Sequence, residues 1–510
     1  MTPAATRYRL HRPGWRDLLL AALSGAGIAL GQAPFELWYL ALPSLAALIW
    51  FIVRRPAPLA AAWLGWFGGA GYFALALVWI IEPFLVDVAR HGWMAPFAVV
   101  ILAFGMALFW GLAAGAAAGL GRTVAGRALA LAVTLALGEA LRSYVLTGFP
   151  WALIGHIWIG TPVMQLAALV GPLGLTLLTT ATAATPAALL ERSRGAALAG
   201  AVGAALVLGA VAAWGMQRLA VADPPRAAPL VVRIVQPNAP QREKWQEDRA
   251  RMFLDRMLAL TAARATPMPD VVIWPESAVP YLLRQSDPVL ALVAKASQGV
   301  PVILGINRDD DRRYFNSMVV TGPRGEVAAV YDKHHLTPFG EYLPFGDLLS
   351  RFGVTGFAAR DGNGFSPGPG AVGLDLGRLG RVLPLICYEA VFPQDLRTGG
   401  PRPDWIVQIT NDAWFGSFSG PYQHLAQARL RAVEQGLPLV RSANTGISAV
   451  IDARGRVLHA LPLNTVGYFD LALPPALAPT RYAVWGDQPM LVLLAFLASA
   501  LVLARMRKTD

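Results

Sequence analysis

Arg381-Val382-Leu383-Pro384-Leu385-Ile386-Cys387-Tyr388-Glu389 is an apolar run that ends on a thiol and a carboxylate. Its consecutive apolar positions predict a strand over 381–387 covered on both faces, as in a layered α/β domain. Cys387 is the only cysteine in 510 residues, so neither an intrachain disulfide nor a thiolate zinc cluster can be built. A lone cysteine is most often a small buried hydrophobe. At a strand end, where loops gather into active sites, it is also a candidate nucleophile.

Outward from this run, short β-rich segments alternate with helical ones. The predicted strands are 231–236, 270–274, 300–306, 317–321, 327–331, 381–387, 404–410, 437–442 and 447–452. Helices are predicted over 244–265, 288–298 and 422–435. This alternation defines an α/β domain over 220–482, opening after Asp223-Pro224-Pro225. Two further polar residues follow apolar strands. Glu276 comes after Val271-Val272-Ile273-Trp274-Pro275, and Lys333 after 327–332. A thiolate nucleophile needs a base or a positive field to form. A carboxylate can move the thiol proton, and an ammonium can stabilise an oxyanion.

The rest of the chain is different in kind. Residues 1–219 carry only 19 charged side chains, whereas 220–482 carry 27 basic and 24 acidic ones. Seven apolar segments precede the α/β domain, at 18–33, 38–53, 59–81, 94–120, 128–146, 164–184 and 196–217, and one follows it, at 483–504. A bilayer core takes about 20 apolar residues per helix. The expected organisation is therefore a multi-pass helical membrane domain over 1–219 with about seven helices, an extracytoplasmic α/β domain, and a closing helix with a basic tail over 483–510. The first two segments are short and contain or adjoin Pro34 and Pro43, which fits a tilted pair or a re-entrant hairpin.

With the N-terminus inside, the inner segments hold thirteen Arg or Lys residues and the outer ones three, Arg90, Arg142 and Arg218. By the positive-inside rule both termini are cytoplasmic and the α/β domain faces outward. Much of the net charge of +11 is thus topological. No basic stripe with interleaved aromatics points to nucleic acid. Glu139 lies inside an apolar span, where a charge is costly, and Arg142 on the same helix face is its natural partner. His334 and His335 stand in no zinc-binding pattern, and neither metal nor cofactor is expected. His424 and Glu434 read as packing or surface residues of the 422–435 helix, and 309–313 as a solvated hairpin turn.

The local strings carry a resemblance. Trp274-Pro275-Glu276, Tyr331-Asp332-Lys333-His334 and Ile386-Cys387-Tyr388-Glu389 resemble the nitrilase superfamily, whose members carry a Glu–Lys–Cys triad on an αββα sandwich. The runs 338–344 (Pro-Phe-Gly-Glu-Tyr-Leu-Pro), 410–416 (Thr-Asn-Asp-Ala-Trp-Phe-Gly) and 147–151 (Thr-Gly-Phe-Pro-Trp) are similar to the bacterial apolipoprotein N-acyltransferase family. That resemblance implies a bacterial inner-membrane enzyme. It would move an acyl chain from a phospholipid, through a Cys387 thioester, to the α-amine of a diacylglyceryl-cysteine at the start of an apolipoprotein. It further implies Glu276 as general base, Lys333 with the Tyr388 N–H as oxyanion donors, Glu341, Tyr388 and Glu389 as supporting residues, and Trp245, Asn316, Trp414 and Phe415 as substrate contacts. Phospholipid and diacylated apolipoprotein are the expected partners, and the expected state is a monomer. The loop of Trp245 and the segment 352–365 are expected to form apolar arms over the site. Two rival readings are a membrane-tethered nitrilase-like amidohydrolase and a transporter or receptor whose outer domain only binds a ligand.

Overall fold

The computed structural model describes residues 13–226, 229–344 and 364–507. By contact the chain divides into two units. One comprises the chain up to Ile81, Trp93–Arg218 and the chain from Asp487 onward. The other comprises Glu82–Gly92 and Leu219–Gly486.

The first unit is helical. Among the described residues, six helical stretches are long and apolar enough to cross a membrane: Pro58–Ala76, Val88–Leu120, Val124–Tyr144, Pro162–Leu190, Arg194–Ala220 and Gln488–Met506. The first two apolar segments form helices of 15 and 16 residues, Trp15–Ala29 and Trp38–Val53, short of the length a span ordinarily needs. Glu139 and Arg142 pair at 2.9 Å with both side chains fully buried. Glu139 also accepts from Trp110 Nε1 at 2.8 Å and Ile154 N at 3.2 Å. Arg142 donates to the carbonyls of Phe149, Trp151 and Ala152. The pair thus fastens the irregular chain after Tyr144, whose backbone groups would otherwise lack partners away from water.

The second unit is an αββα sandwich. Its first sheet has the order β12-β1-β2-β3-β4-β5, with β1 Val231–Gln236, β2 Val271–Ile273, β3 Val302–Asp309, β4 Tyr314–Thr321, β5 Val327–Asp332 and β12 Gly467–Ala472. The other has the order β11-β10-β9-β8-β7-β6, with β6 Leu374–Asp375, β7 Arg381–Ile386, β8 Trp405–Thr410, β9 Leu439–Ala443, β10 Ser448–Ile451 and β11 Val457–Leu461. In each, three central strands run parallel (β1, β2, β3 and β7, β8, β9) and the flanking ones antiparallel.

Helices Glu247–Thr261 and Asp287–Ala296 cover the first sheet through Leu254, Met257, Leu290 and Val293 packed on Val272, Trp274 and Leu304. Helix Gly420–Gln435 covers the second through Ala428 and Ala432 on Leu383, Ile406 and Leu439. The inner faces meet where Ser442 Oγ donates to Val235 O at 3.1 Å and Ser448 N to Gln236 Oε1 at 3.1 Å.

The predicted strands lie close to the observed ones, with three additions. β6 has two residues, and β11 and β12 are partly exposed and lack a continuous apolar run, so nothing in their composition set them apart. The predicted strand 381–387 ends one residue earlier, at Ile386. Cys387 has φ +50°, which breaks the ladder and starts a 3₁₀ turn over Cys387–Val391. Residues 309–313 form the β3–β4 turn, with Arg313 paired to Asp310.

Candidate active site

Three strand ends supply the polar groups. Glu276 follows β2 and Lys333 follows β5 on one sheet, while Cys387 follows β7 on the other. All three are buried, at 6%, 1% and 6% exposure, so their charges interact with little solvent screening. Lys333 Nζ lies 2.7 Å from Glu341 Oε2 and 3.9 Å from Glu276 Oε1. Asn316 Nδ2 bridges the two carboxylates, at 2.6 Å from Glu276 Oε1 and 2.9 Å from Glu341 Oε1. The second oxygen of Glu276 accepts from Asn411 N at 2.8 Å. Glu341 Oε2 also accepts from Thr337 N at 2.7 Å, which ties the carboxylate into its own loop.

The electrostatics follow from this packing. Burial pushes the Cys387 thiol up, and the Glu276 carboxylate pushes it further, with Lys333 opposing. Burial also raises Glu276, opposed by Lys333 and reinforced by the like charge of Glu341. Burial lowers Lys333, but Glu341, Glu276 and Cys387 together outweigh it and hold it protonated, above the usual lysine range. Its ammonium draws Glu341 below the ordinary carboxylate value against the effect of burial. The resting site is therefore a neutral thiol beside a fixed cation and a base of raised affinity for protons.

The supporting residues occupy distinct places. The fully buried Glu389 carboxylate accepts from Ile386 N at 2.7 Å, His334 N at 2.8 Å, His335 N at 3.3 Å and the Tyr331 hydroxyl at 2.9 Å. It thus joins the backbone beside Cys387 to the backbone beside Lys333. Tyr388 is buried, with its ring edge-on to Phe392. Asn316 stands between the carboxylates rather than at an open surface. Trp245 is half-exposed beside Lys244. Trp414 is partly buried, and Phe415 is buried edge-on to His424. Of the segment 352–365 expected to form an arm, residues 352–363 lie outside the described residues. Phe365 N donates to Glu341 O at 2.8 Å.

Several groups escaped the sequence reading. Lys244 is buried, donates to the backbone carbonyl of Glu276 at 3.2 Å, and is lowered by that burial to about 8. Of the packing and surface readings of His424, packing is the one observed, with polar partners that the sequence did not disclose. The side chain is fully buried, with Nδ1 2.9 Å from Asp412 Oδ1 and Nε2 3.0 Å from the carbonyl oxygen of Cys387. Glu434 is buried too and pairs with Arg431 at 2.7 Å. The signal available for Asp412 was its place in the run 410–416. Among the described residues, no group of three or more His, Cys, Asp or Glu is arranged to hold a metal ion.

Comparison with known proteins finds relatives over nearly the whole chain. Residues 231–482 match the carbon-nitrogen hydrolase family model, and residues 24–185 the model of the apolipoprotein N-acyltransferase N-terminal domain. The apolipoprotein N-acyltransferase of Rhodopseudomonas palustris is 40% identical, covering 97% of this chain and 96% of its own. That of Brucella suis is 39% identical, covering 96% and 95%. Among solved structures, an amidase from Nesterenkonia sp. aligns with 18% identity and a TM-score of 0.37, covering 53% of this chain and 97% of its own.

Proposed function

This chain belongs to the apolipoprotein N-acyltransferases of the carbon-nitrogen hydrolase superfamily, and we propose that it N-acylates apolipoproteins through a thioester on Cys387. The observation that carries the mechanism is the buried grouping of Glu276, Lys333 and the only thiol of the chain at three strand ends.

Glu276 takes the thiol proton as Cys387 Sγ attacks the ester carbonyl of a phospholipid. Burial raises the proton affinity of Glu276, which suits it to accept the proton, and burial with the Glu276 carboxylate keeps the thiol neutral until the attack begins. The oxyanion forms against the Lys333 ammonium and the Tyr388 N–H. The intermediate collapses, the ester C–O bond breaks, and Glu276 returns its proton to the departing lysophospholipid oxygen. The acyl group is then held on sulfur. In the second half the α-amine of the diacylglyceryl-cysteine attacks the thioester carbonyl and gives its proton to Glu276. The C–S bond breaks and the thiolate takes that proton back. The products are the triacylated lipoprotein and the resting thiol.

Glu341 holds Lys333 and Asn316 in place, so that Glu276 keeps its distance from the cation. Trp245, half-exposed on its loop, and the partly buried Trp414 are the proposed lipid contacts, and Phe415, buried against His424, backs the site. The domain works on the periplasmic face of the inner membrane with both termini cytoplasmic, an orientation supported by the distribution of Arg and Lys. A lone cysteine suits an oxidising compartment, since no intramolecular partner can capture it. One chain holds the full set of reacting groups, so a monomer suffices. Cys387→Ala and Cys387→Ser in a lipoprotein acylation assay test the reading. Near-normal turnover in either variant would remove the thioester from the mechanism.

A further inference from the structure

The nucleophile stands on a backbone that needs holding. At φ +50° Cys387 is in the left-handed region, which is strained for a non-glycine residue and persists only where the surroundings fix it. The fixing groups are in the fully buried layer between β8, β9 and the helix Gly420–Gln435. Gln408 Nε2 donates to the carbonyl oxygen of Cys387 at 3.2 Å, and His424 Nε2 lies 3.0 Å from the same oxygen and 3.0 Å from Gln408 Nε2. His424 Nδ1 faces Asp412 Oδ1 at 2.9 Å. Asp412 in turn accepts from Thr410 Oγ1 at 2.8 Å and pairs with Arg441, whose Nε donates to Ile447 O at 3.1 Å. All of Gln408, Asp412, His424 and Arg441 have 0% exposure.

The protonation state of the ring decides which group bonds the Cys387 oxygen. A neutral ring with its proton on Nδ1 accepts from Gln408, whose second N–H stays on Cys387 O. A protonated ring donates to that oxygen directly.

The C=O of Cys387 and the N–H of Tyr388 belong to one planar peptide unit and point in opposite directions. A hydrogen bond to the carbonyl therefore aims the N–H away from Asp412 and His424, and it polarises that N–H as a donor. We propose that Asp412, His424 and Gln408 are positioning residues that orient and polarise the Tyr388 N–H for the oxyanion, acting through the carbonyl of the nucleophile rather than through its sulfur. The order Asp–His–cysteine is that of a proton relay, but its target is a backbone oxygen. This inference rests on the thioester reading above.

The test uses the full-length enzyme in proteoliposomes with His424→Phe, His424→Gln and Gln408→Met. Two reactions are read on each. Acyl transfer from phospholipid to a diacylated lipopeptide passes through an oxyanion, whereas alkylation of Cys387 by iodoacetamide does not. His424→Phe and Gln408→Met are expected to lower kcat by about 10- to 100-fold with KM little changed, short of the 10²–10³ that loss of a whole oxyanion donor costs. Alkylation should change by less than about threefold, as it lacks the step that the donor serves. His424→Gln should recover at least half of the logarithmic loss, since its amide can reach the same oxygen.

A parallel fall in both reactions would make the cluster a scaffold for the thiol alone and overturn the inference. So would unchanged kcat in either His424→Phe or Gln408→Met. If His424→Phe does not fold, Gln408→Met decides by the same two reactions. Activity retained in Cys387→Ala would instead defeat the thioester reading, an outcome distinct from these.

Discussion

Glu389→Gln is the perturbation whose consequence the structure specifies most fully. The native carboxylate places one oxygen on Ile386 N and the other on His334 N, His335 N and the Tyr331 hydroxyl, with His334 Nδ1 a further 2.7 Å contact. An amide can serve only one of these two sides. Its NH₂ then faces backbone donors on the other side, at a site with no exposure to water. Each buried donor left unsatisfied costs about 1–3 kcal/mol. Removing one partner of a buried charged cluster costs about 3–5 kcal/mol in all. For a domain of this size, about 2–4 °C per kcal/mol translates that into a midpoint lowered by about 6–20 °C.

The functional effect has a separate cause. Ile386 precedes the nucleophile and His334 follows the cation, so the substitution uncouples the two strand ends. A displacement on the order of 1 Å at a reacting group costs about 10²-fold in rate. The assay pairs thermal unfolding of the detergent-solubilised protein, followed by tryptophan fluorescence, with turnover on a diacylated lipopeptide. A midpoint within about 2 °C of the parent, a shift worth no more than about 1 kcal/mol, together with retained turnover would refute this account of Glu389.

Other expectations follow from the same geometry. Lys333→Met removes the oxyanion cation and leaves Glu276 and Glu341 facing each other, so kcat in the acylation assay should fall about 10²–10³-fold. Activity needs ionised Glu276, which burial raises, with Lys333 opposing and Glu341 adding to the rise; the acid limb of kcat/KM should therefore lie above the ordinary carboxylate value and move down in Glu341→Gln, as a pH–rate profile will show. Burial opposes the charge on His334, but Asp395 and Glu389 outweigh it and raise the group to about 10. Its folded value thus exceeds its unfolded one of about 6.5. The stabilisation is full below that unfolded value and should fade as pH rises through about 10, seen as a falling unfolding midpoint that His334→Ala flattens. In the helical unit, Glu139→Ala and Arg142→Ala should each destabilise strongly, and the double variant by clearly less than the sum, in a double-mutant cycle on unfolding midpoints.

What the sequence could disclose depended on how locally each feature is written. Glu276, Lys333 and Cys387 each end an apolar strand, so a run of a few residues sufficed to mark them. The pairing of Glu139 with Arg142 is a helical i,i+3 relation and was equally legible. His424 was not. Its partners Gln408, Asp412 and Arg441 lie on different elements, and only the parallel register of β8 beside β7 and β9 assembles them under Cys387. A polar residue on a predicted helix looks solvated until the sheet beneath it is known. Lys244 was hidden for the same reason, because the carbonyl it reaches lies 32 residues away in the chain. Glu82–Gly92 lies between apolar helices in sequence yet belongs to the α/β unit, which composition alone does not reveal.

The central claim is that Cys387 carries the acyl group between the two substrates. Mass spectrometry of the full-length enzyme, incubated with phospholipid of defined acyl chains and no acceptor, tests it most directly. The account predicts one fatty acyl group on the peptide containing Cys387, released by neutral hydroxylamine and discharged on addition of a diacylated lipopeptide with formation of the N-acylated product. An enzyme that turns over while Cys387 stays unmodified, or one whose Cys387→Ala variant still transfers acyl chains, would contradict it.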